Sequence, residues 1–269
     1  MTSLTNDALL VVAERLGVQT LPLVLSVAPR QDSIEEYRAA RERALSGLIG
    51  AGLLDAEGEV ESDLAAALFV LAQPDRELVA RVYAEDGARR FCLARRGERH
   101  ALAVRSGDSF EVTSIWADGS DASLARPLLA ALGACEPAQI AGFSALASEL
   151  ADRMDAAEGS GDYADAMYAI GVGERDAAVL GLAFGSCRAF GSCRAYAEIV
   201  AYAHQDGSTS RAPGAVVVYD TGRGRIVAAP TVAPDQRVWS TVTTGTDHRV
   251  TQAVATLLEG LPGGRWLPQ

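Results

Sequence analysis

RAYAEIVAYAHQDGSTSRAPGAVVVYDTGRGRIVAA, residues Arg194 to Ala229, holds three strand-like runs separated by two turns. Its first eleven residues alternate strictly. Arg194, Tyr196, Glu198, Val200, Tyr202 and His204 fall on one face, and Ala195, Ala197, Ile199, Ala201 and Ala203 on the other. A period of two over that length is a strand with two unlike faces. The small apolar face suits packed helices. The opposite face carries Tyr and Arg, residue types enriched where proteins meet partners. Periodicity alone leaves two fates for that face: cover by helices, or exposure to a partner.

Working outward, the same alternation recurs earlier. Strands are predicted at Leu78–Glu85, Arg90–Arg96, Arg99–Arg105 and Ser109–Ala117, joined by tight turns at Asp86-Gly87, Gly97 and Gly107-Asp108. Short turns between consecutive strands imply an antiparallel meander. A helix follows from Asp121 to Leu132, with Leu124, Leu128 and Leu132 on one side. The later segment predicts strands at Arg194–His204, Gly214–Tyr219, Arg225–Ala229 and Arg237–Thr244, then a helix from Asp247 to Leu261. Arg81-Val82-Tyr83-Ala84-Glu85 and Arg194-Ala195-Tyr196-Ala197-Glu198 open the two segments alike, and the closing helices carry apolar residues at matching offsets from Asp121 and Asp247. An internal duplication is the expectation.

The remaining stretches read as helical. Helices are predicted at Asp7–Leu16, from Asp32 (with Glu35 completing a capping box and Ile34, Tyr37, Leu45, Leu48 and Ile49 as its buried stripe), and at Ser62–Ala72. Leu21–Val27, interrupted by Pro22, is at best an edge strand. The middle, Glu136 to Phe184, is expected to be helical, with Pro137 in a first helical turn and Ile140, Phe143, Leu146, Leu150 and Met154 on one face. Two shorter helices are placed at Tyr163–Ile170 and Glu174–Phe184, and the tandem GSCRAFGSCRA is read as a linker. The fold class is therefore α+β: a central antiparallel sheet built from two similar meander-and-helix modules with pseudo-two-fold symmetry, flanked by helical bundles. One domain is expected over 1–269, made of a helical segment 1–76, a sheet module 77–132, a helical segment 133–193, and a second sheet module with its closing helix, 194–261.

Composition narrows function. The chain has 269 residues and a net charge of −11, which argues against a phosphate-tracking nucleic-acid binder and an anionic membrane surface. Every basic residue is Arg. No apolar run reaches the roughly 18 residues of a membrane span, and the opening MTSLTNDALL has no basic segment of the kind that begins a signal peptide. A cytoplasmic location is the default expectation.

Catalytic signals fail one by one. Asp220-Thr221-Gly222-Arg223-Gly224-Arg225 is glycine-rich, but it joins two strands, whereas a phosphate cradle leads into a helix N-terminus. The acidic run from Asp55 to Asp63 places its glycine wrongly for a calcium loop and ends that loop on Ala66 where Glu is needed. Ser144 in GFSAL lacks the second glycine of a nucleophile elbow and is placed mid-helix. His100, His204 and His248 are scattered, and Cys92, Cys135, Cys187 and Cys193 show no metal spacing. No enzyme activity, cofactor or metal is expected. The alternatives kept open are a small-molecule-binding or sensor domain, and a hydrolase using Cys187 or Cys193.

Several stretches resemble one family. They are LTNDALLVVAERLGVQTLPLVL (Leu4–Leu25), GAGLLDAEGEVESDLAAAL (Gly50–Leu68), LARRGERHALAVRSGD (Leu93–Asp108), RAYAEIVAY (Arg194–Tyr202) and APGAVVVYDTGRGR (Ala212–Arg225). Their order and spacing are similar to the EspG family, chaperones of ESX (type VII) secretion. The resemblance implies a cytoplasmic protein with a central antiparallel sheet and flanking helical bundles. It also implies binding to a PE–PPE heterodimer through the PPE subunit, by the sheet and the later helical part, without catalysis. Arg194, Tyr196, Tyr202, Arg223 and Trp239 are the expected partner contacts. Weak homodimerisation is left open. The GSCRA tandem, and a start that leaves little room for a strand before the first helix, depart from the family pattern.

Overall fold

The alternating segments assemble as one sheet in a computed structural model that describes residues 2–85, 87–190 and 195–267, with backbone alone at 188–190. The first half contributes β1 (Thr2–Thr5), α1 (Asn6–Arg15), a 3-10 turn at Leu23–Leu25, α2 (Ile34–Gly50) and α3 (Ser62–Ala72). The meander β2 (Arg76–Ala84), β3 (Gly87–Arg96), β4 (Arg99–Ser106) and β5 (Ser109–Ile115) follows, then α4 (Asp121–Leu132). The second half contributes β6 (Phe143–Leu146), α5 (Ala147–Ala156), α6 (Ser160–Ala169) and α7 (Glu174–Phe190). Then come β7 (Ala195–Gln205), β8 (Ser208–Arg211), β9 (Val216–Thr221), β10 (Gly224–Val232), β11 (Val238–Thr244) and α8 (Asp247–Glu259).

The strand order is β1-β5-β4-β3-β2-β7-β9-β10-β11-β6, with β8 also paired to β7, and all ladders are antiparallel. Each half places its short first strand at an outer edge and its long first meander strand at the centre. β2 and β7 meet there, from Arg76 opposite Ala203 to Ala84 opposite Ala195.

One face of the centre is small and apolar, as the alternation requires. Leu78, Ala80 and Val82 of β2, with Ala195, Ala197, Ile199, Ala201 and Ala203 of β7, pack beneath Leu124 and Leu128 of α4 and Val250, Val254 and Leu257 of α8. The alanines let both helices approach closely. The burial energy comes mainly from the Leu and Val side chains, about 1.5–3 kcal/mol for each one fully buried. The opposite face carries two separate helical groups. Leu9, Val12, Leu68 and Leu71 cover Cys92, Ala94, Ala103 and Phe110 of the first half. Tyr163, Met167, Leu180 and Phe184 cover Ile226 and Val242 of the second.

Several expectations need correction. The chain does open on a strand: β1 pairs with β5 from Thr2 opposite Val112 to Thr5 opposite Ser109. Leu21–Val27 forms the 3-10 turn and no strand. Ser33 rather than Asp32 caps α2, its side chain accepting from Glu36 N, and the buried apolar residues of that helix are Ala40 and Leu48, while Ile34 and Ile49 are exposed. Ser120, ahead of Asp121, caps α4. The polar Ser208–Arg211 adds a strand that alternation did not mark.

The largest error is at 136–146. Pro137 bridges to Arg225, and Phe143–Leu146 pairs with β11. An open strand edge offers unpaired backbone groups, and satisfying them outweighs weak helical periodicity in so short a run. Ile140, Phe143, Leu146, Leu150 and Met154 therefore share no single helix face. The first GSCRA copy, from Gly185, lies in the last turns of α7, not in a linker, while most of the second copy lies outside the described residues.

Candidate functional site

Beside the first helical group a groove opens over the central strands. Its floor is the polar and aromatic face of the β2–β7 pair. Tyr83 stands opposite Tyr196, Arg81 opposite Glu198, Val79 opposite Val200, and Glu77 opposite Tyr202. Period-two geometry sends all eight side chains to the face away from α4 and α8. The segment Thr20–Val24 and the end of α3 wall one side, and Thr209 and Arg211 of β8 close one end, around a cavity of about 570 Å³. Leu23 stands on the lip, 95% exposed.

The groove is chemically graded. Val79 and Val200 give a buried apolar strip. Beyond it lies a polar cluster in which His204 Nε2 is 3.0 Å from Glu77 Oε2 and His204 Nδ1 is 3.1 Å from Thr209 Oγ1. Behind Glu77 sits the buried Cys92, its thiol 3.9 Å from Glu77 Oε1. Burial first, and the Glu77 charge second, push that thiol up, so it stays protonated and unreactive at neutral pH. At the other end Arg81 is exposed and makes no hydrogen bond or ion pair among the described residues.

An aromatic chain links this floor to the second helical group. Tyr83 and Tyr196 have ring centroids 6.1 Å apart, Tyr196 and Tyr219 5.2 Å, Tyr219 and Phe184 5.1 Å edge to face, and Phe184 and Tyr163 6.1 Å. These separations lie in the favourable range for aromatic pairs. Burial, then the Glu198 charge, then Tyr83, raise the Tyr196 phenol above its ordinary value. The Tyr196 ring is therefore neutral and amphipathic.

Of the five expected contacts, the structure brings Tyr196 and Tyr202 together on this floor. Arg194 lies outside the described residues. Tyr202 lines the cavity, Tyr196 lies on the same strand face just beyond the lining, and Arg223 is exposed on the β9–β10 hairpin, away from both. Trp239, opposite Thr231 and Leu146, follows the register of Val227 and so faces the α4/α8 side of the sheet, not the tyrosines. Sequence reasoning left Glu77, Arg81, Tyr83 and His204 off the contact list, although the Arg81–Glu85 likeness to Arg194–Glu198 already marked β2 as the matching strand. Leu23 carried no local signal, because only the packing of its loop exposes it.

The other candidate chemistries dissolve into structure. The glycine-rich turn is the β9–β10 hairpin, and Arg225 at its end is buried. Its Nε donates to Asp220 Oδ1 at 2.6 Å, and its Nη2 donates to Asp220 Oδ2 at 2.7 Å and to the Gly133 carbonyl at 2.8 Å. Its backbone also bonds Glu136, Ala138 and Gly245, and a Cβ on Gly245 would lie 2.3 Å from Arg225 Cγ. Arg225 is thus the knot that ties the hairpin to the 133–138 crossing. Ser144 is on a strand, hydrogen-bonded to Thr241 Oγ1. Cys187 is disulfide-bonded, and Cys193 lies outside the described residues. Among the described residues no three His, Cys, Asp or Glu side chains group as metal ligands, and no helix is long and apolar enough to cross a membrane.

Comparison with known proteins places this geometry. A model of the EspG family matches residues 5–256. The chain is 30% identical over 267 residues to ESX-1 secretion-associated protein EspG1 of Mycobacterium tuberculosis, covering 98% of this chain and 88% of the relative. It is 27% identical over 266 residues to ESX-3 secretion-associated protein EspG3 of Mycolicibacterium smegmatis, covering 98% and 88%. Among solved structures, the Mycobacterium tuberculosis type VII secretion system chaperone EspG5, determined in complex with a PE25–PPE41 dimer, matches with a TM-score of 0.82 over 98% of each chain. At 20% identity that likeness speaks for the fold.

Proposed function

The chain belongs to the EspG family, and on that premise we propose that it is a cytoplasmic chaperone of type VII secretion that binds a PE–PPE heterodimer through the PPE subunit. The observation that carries this is the uncovered Tyr/Arg floor beside the first helical group. It presents Tyr83, Tyr196 and Tyr202 with Arg81, unpaired among the described residues, beside an apolar strip. Tyrosines supply contact area with few rotors to immobilise, which suits a surface that must hold a partner by shape. The mechanism is mass action: binding the folded, soluble partner and not its unfolded form stabilises it by an amount set by concentration over dissociation constant. No chemical step and no nucleotide is invoked.

Co-expression with the PE–PPE pairs encoded near this chain, followed by size-exclusion chromatography, tests the proposal. A stable ternary complex with at least one pair is expected, and co-elution with none would end it. A second proposal, a small-molecule or sensor site, draws on the cavity volume of about 570 Å³, which suits a compact ligand. A thermal shift with metabolites but none with PE–PPE pairs would favour it.

A further inference from the structure

At the far end of the first meander, on the α4/α8 face, four buried nitrogen atoms have no hydrogen-bond partner among the described residues: Arg76 Nη1, Arg95 Nε, His100 Nε2 and Trp266 Nε1. They belong to one neighbourhood. Arg76 stands opposite Arg95 and Arg95 opposite His100 on adjacent strands, so the three Cα atoms span about 10 Å. The Trp266 ring stacks on His100, centroids 6.2 Å apart and 18° from parallel, and Arg76 Nη2 donates to the Pro262 carbonyl. Arg95, His100 and Trp266 are 5%, 3% and 4% exposed.

Buried donors are almost always paired, and these ask for a particular partner. The two guanidinium groups and the indole can only donate. Among the described residues the carboxylate paired with this cluster is Asp75, which is half exposed and lies 3.6 Å from Arg95 Nη2, away from the orphan Nε. The cluster therefore keeps an excess positive charge and three donor N–H groups. A single water accepts only two hydrogen bonds, whereas a small oxyanion offers several acceptors and the compensating charge.

We infer that Arg76, Arg95, His100 and Trp266 form a buried site for a small oxyanion, of the phosphate, sulfate or carboxylate type, which fastens the 262–266 segment to β2, β3 and β4. The test is thermal unfolding of the full chain titrated with millimolar inorganic phosphate, sulfate or acetate, with sodium chloride holding ionic strength constant. The three arms separate tetrahedral from carboxylate ligands. A saturable rise in Tm is expected with at least one anion, lost in Arg95→Met and reduced in Trp266→Phe, which keeps the ring stack and removes the donor. Should Arg95→Met fail to fold, Arg76→Gln takes its place. No saturable rise with any of the three in the wild type, or an undiminished rise in Trp266→Phe, overturns the inference.

Discussion

Tyr83 of β2 and Tyr196 of β7 face each other across the seam where the two halves of the sheet join, their ring centroids 6.1 Å apart. Tyr83 is 49% exposed, whereas Tyr196 is half-buried and leads through Tyr219 to Phe184 and the second helical group. One pair of residues thus serves as the structural seam and continues the floor's face just beyond the cavity lining. The halves of the pair are separable. Tyr83→Ala removes a half-exposed ring at the end of the aromatic chain and is expected to change stability by about 0.5–1 kcal/mol. Tyr196→Ala interrupts the aromatic chain and is expected to cost about 1–3 kcal/mol. Urea unfolding of the two variants measures the difference, and equal effects would refute it.

The Arg225–Asp220 pair is predicted to matter more than any surface ion pair. Both side chains are buried and joined by two short hydrogen bonds. Asp220→Asn leaves the buried guanidinium with only the exposed Asp247 carboxylate, 3.5 Å from Nη1, as counter-charge, so a loss of about 3 kcal/mol is expected. Arg225→Lys should recover little, because an ammonium cannot reproduce the fork that also reaches the Gly133 carbonyl. Denaturant midpoints within error of the wild type for both variants would show that the crossing is held elsewhere.

Helices α6 and α7 touch through two glycines. A Cβ on Gly181 would lie 2.5 Å from the Ser160 carbonyl oxygen, and one on Gly185 would lie 2.7 Å from Ser160 Cα. Backbone atoms cannot yield as a flexible side chain can. Gly181→Ala is therefore expected to destabilise by about 1–3 kcal/mol, despite the better helix propensity of Ala. A Tm at or above that of the wild type would contradict the close approach.

Asp118 supplies a pH dependence with a defined direction. Its carboxylate accepts from Ser120 Oγ at 2.6 Å and Ser120 N at 2.9 Å, in front of the residue that caps α4. The Ser120 hydroxyl first, then Ser123 and the backbone, lower its pKa from 3.8 to about 2. A group depressed on folding stabilises fully above its unfolded pKa and loses that contribution as pH falls through the folded one. The Tm gap between wild type and Asp118→Asn should hold at neutral pH and close between pH 3.8 and about 2. A gap independent of pH would remove the carboxylate from the cap.

The β meanders and the closing helices were legible in sequence because both signals are local. Alternation at Leu78–Val82 and Ala195–Ala203, and leucines spaced four apart at Leu124 and Leu128, report which face is buried. Phe143–Leu146 was not legible, since its strand exists only because β11 leaves an edge beside it. The glycines at 181 and 185 were hidden for a similar reason: the spacing suits a helix contact, but only the fold brings Ser160 against them. In the groove, Tyr196 and Tyr202 followed from alternation. Leu23 and the Glu77–His204 pair depended on loops and strands that meet only after folding. The parity of β11, which sends Trp239 to the other face, is set by its pairing with β10 and not by its own residues.

The central claim is that the open face of β2 and β7 holds the partner. Equilibrium binding of a PE–PPE pair that forms a complex with the wild type, compared with its binding to the folded Tyr83→Ala/Tyr196→Ala double variant by calorimetry, tests it directly. Losing even one central aromatic anchor typically costs about 2 kcal/mol or more, a factor of about 30, which sets the lower bound for the pair. The predicted result is a loss of about 30-fold or greater in affinity, with a native circular dichroism spectrum. Undiminished affinity in the folded double variant would contradict it.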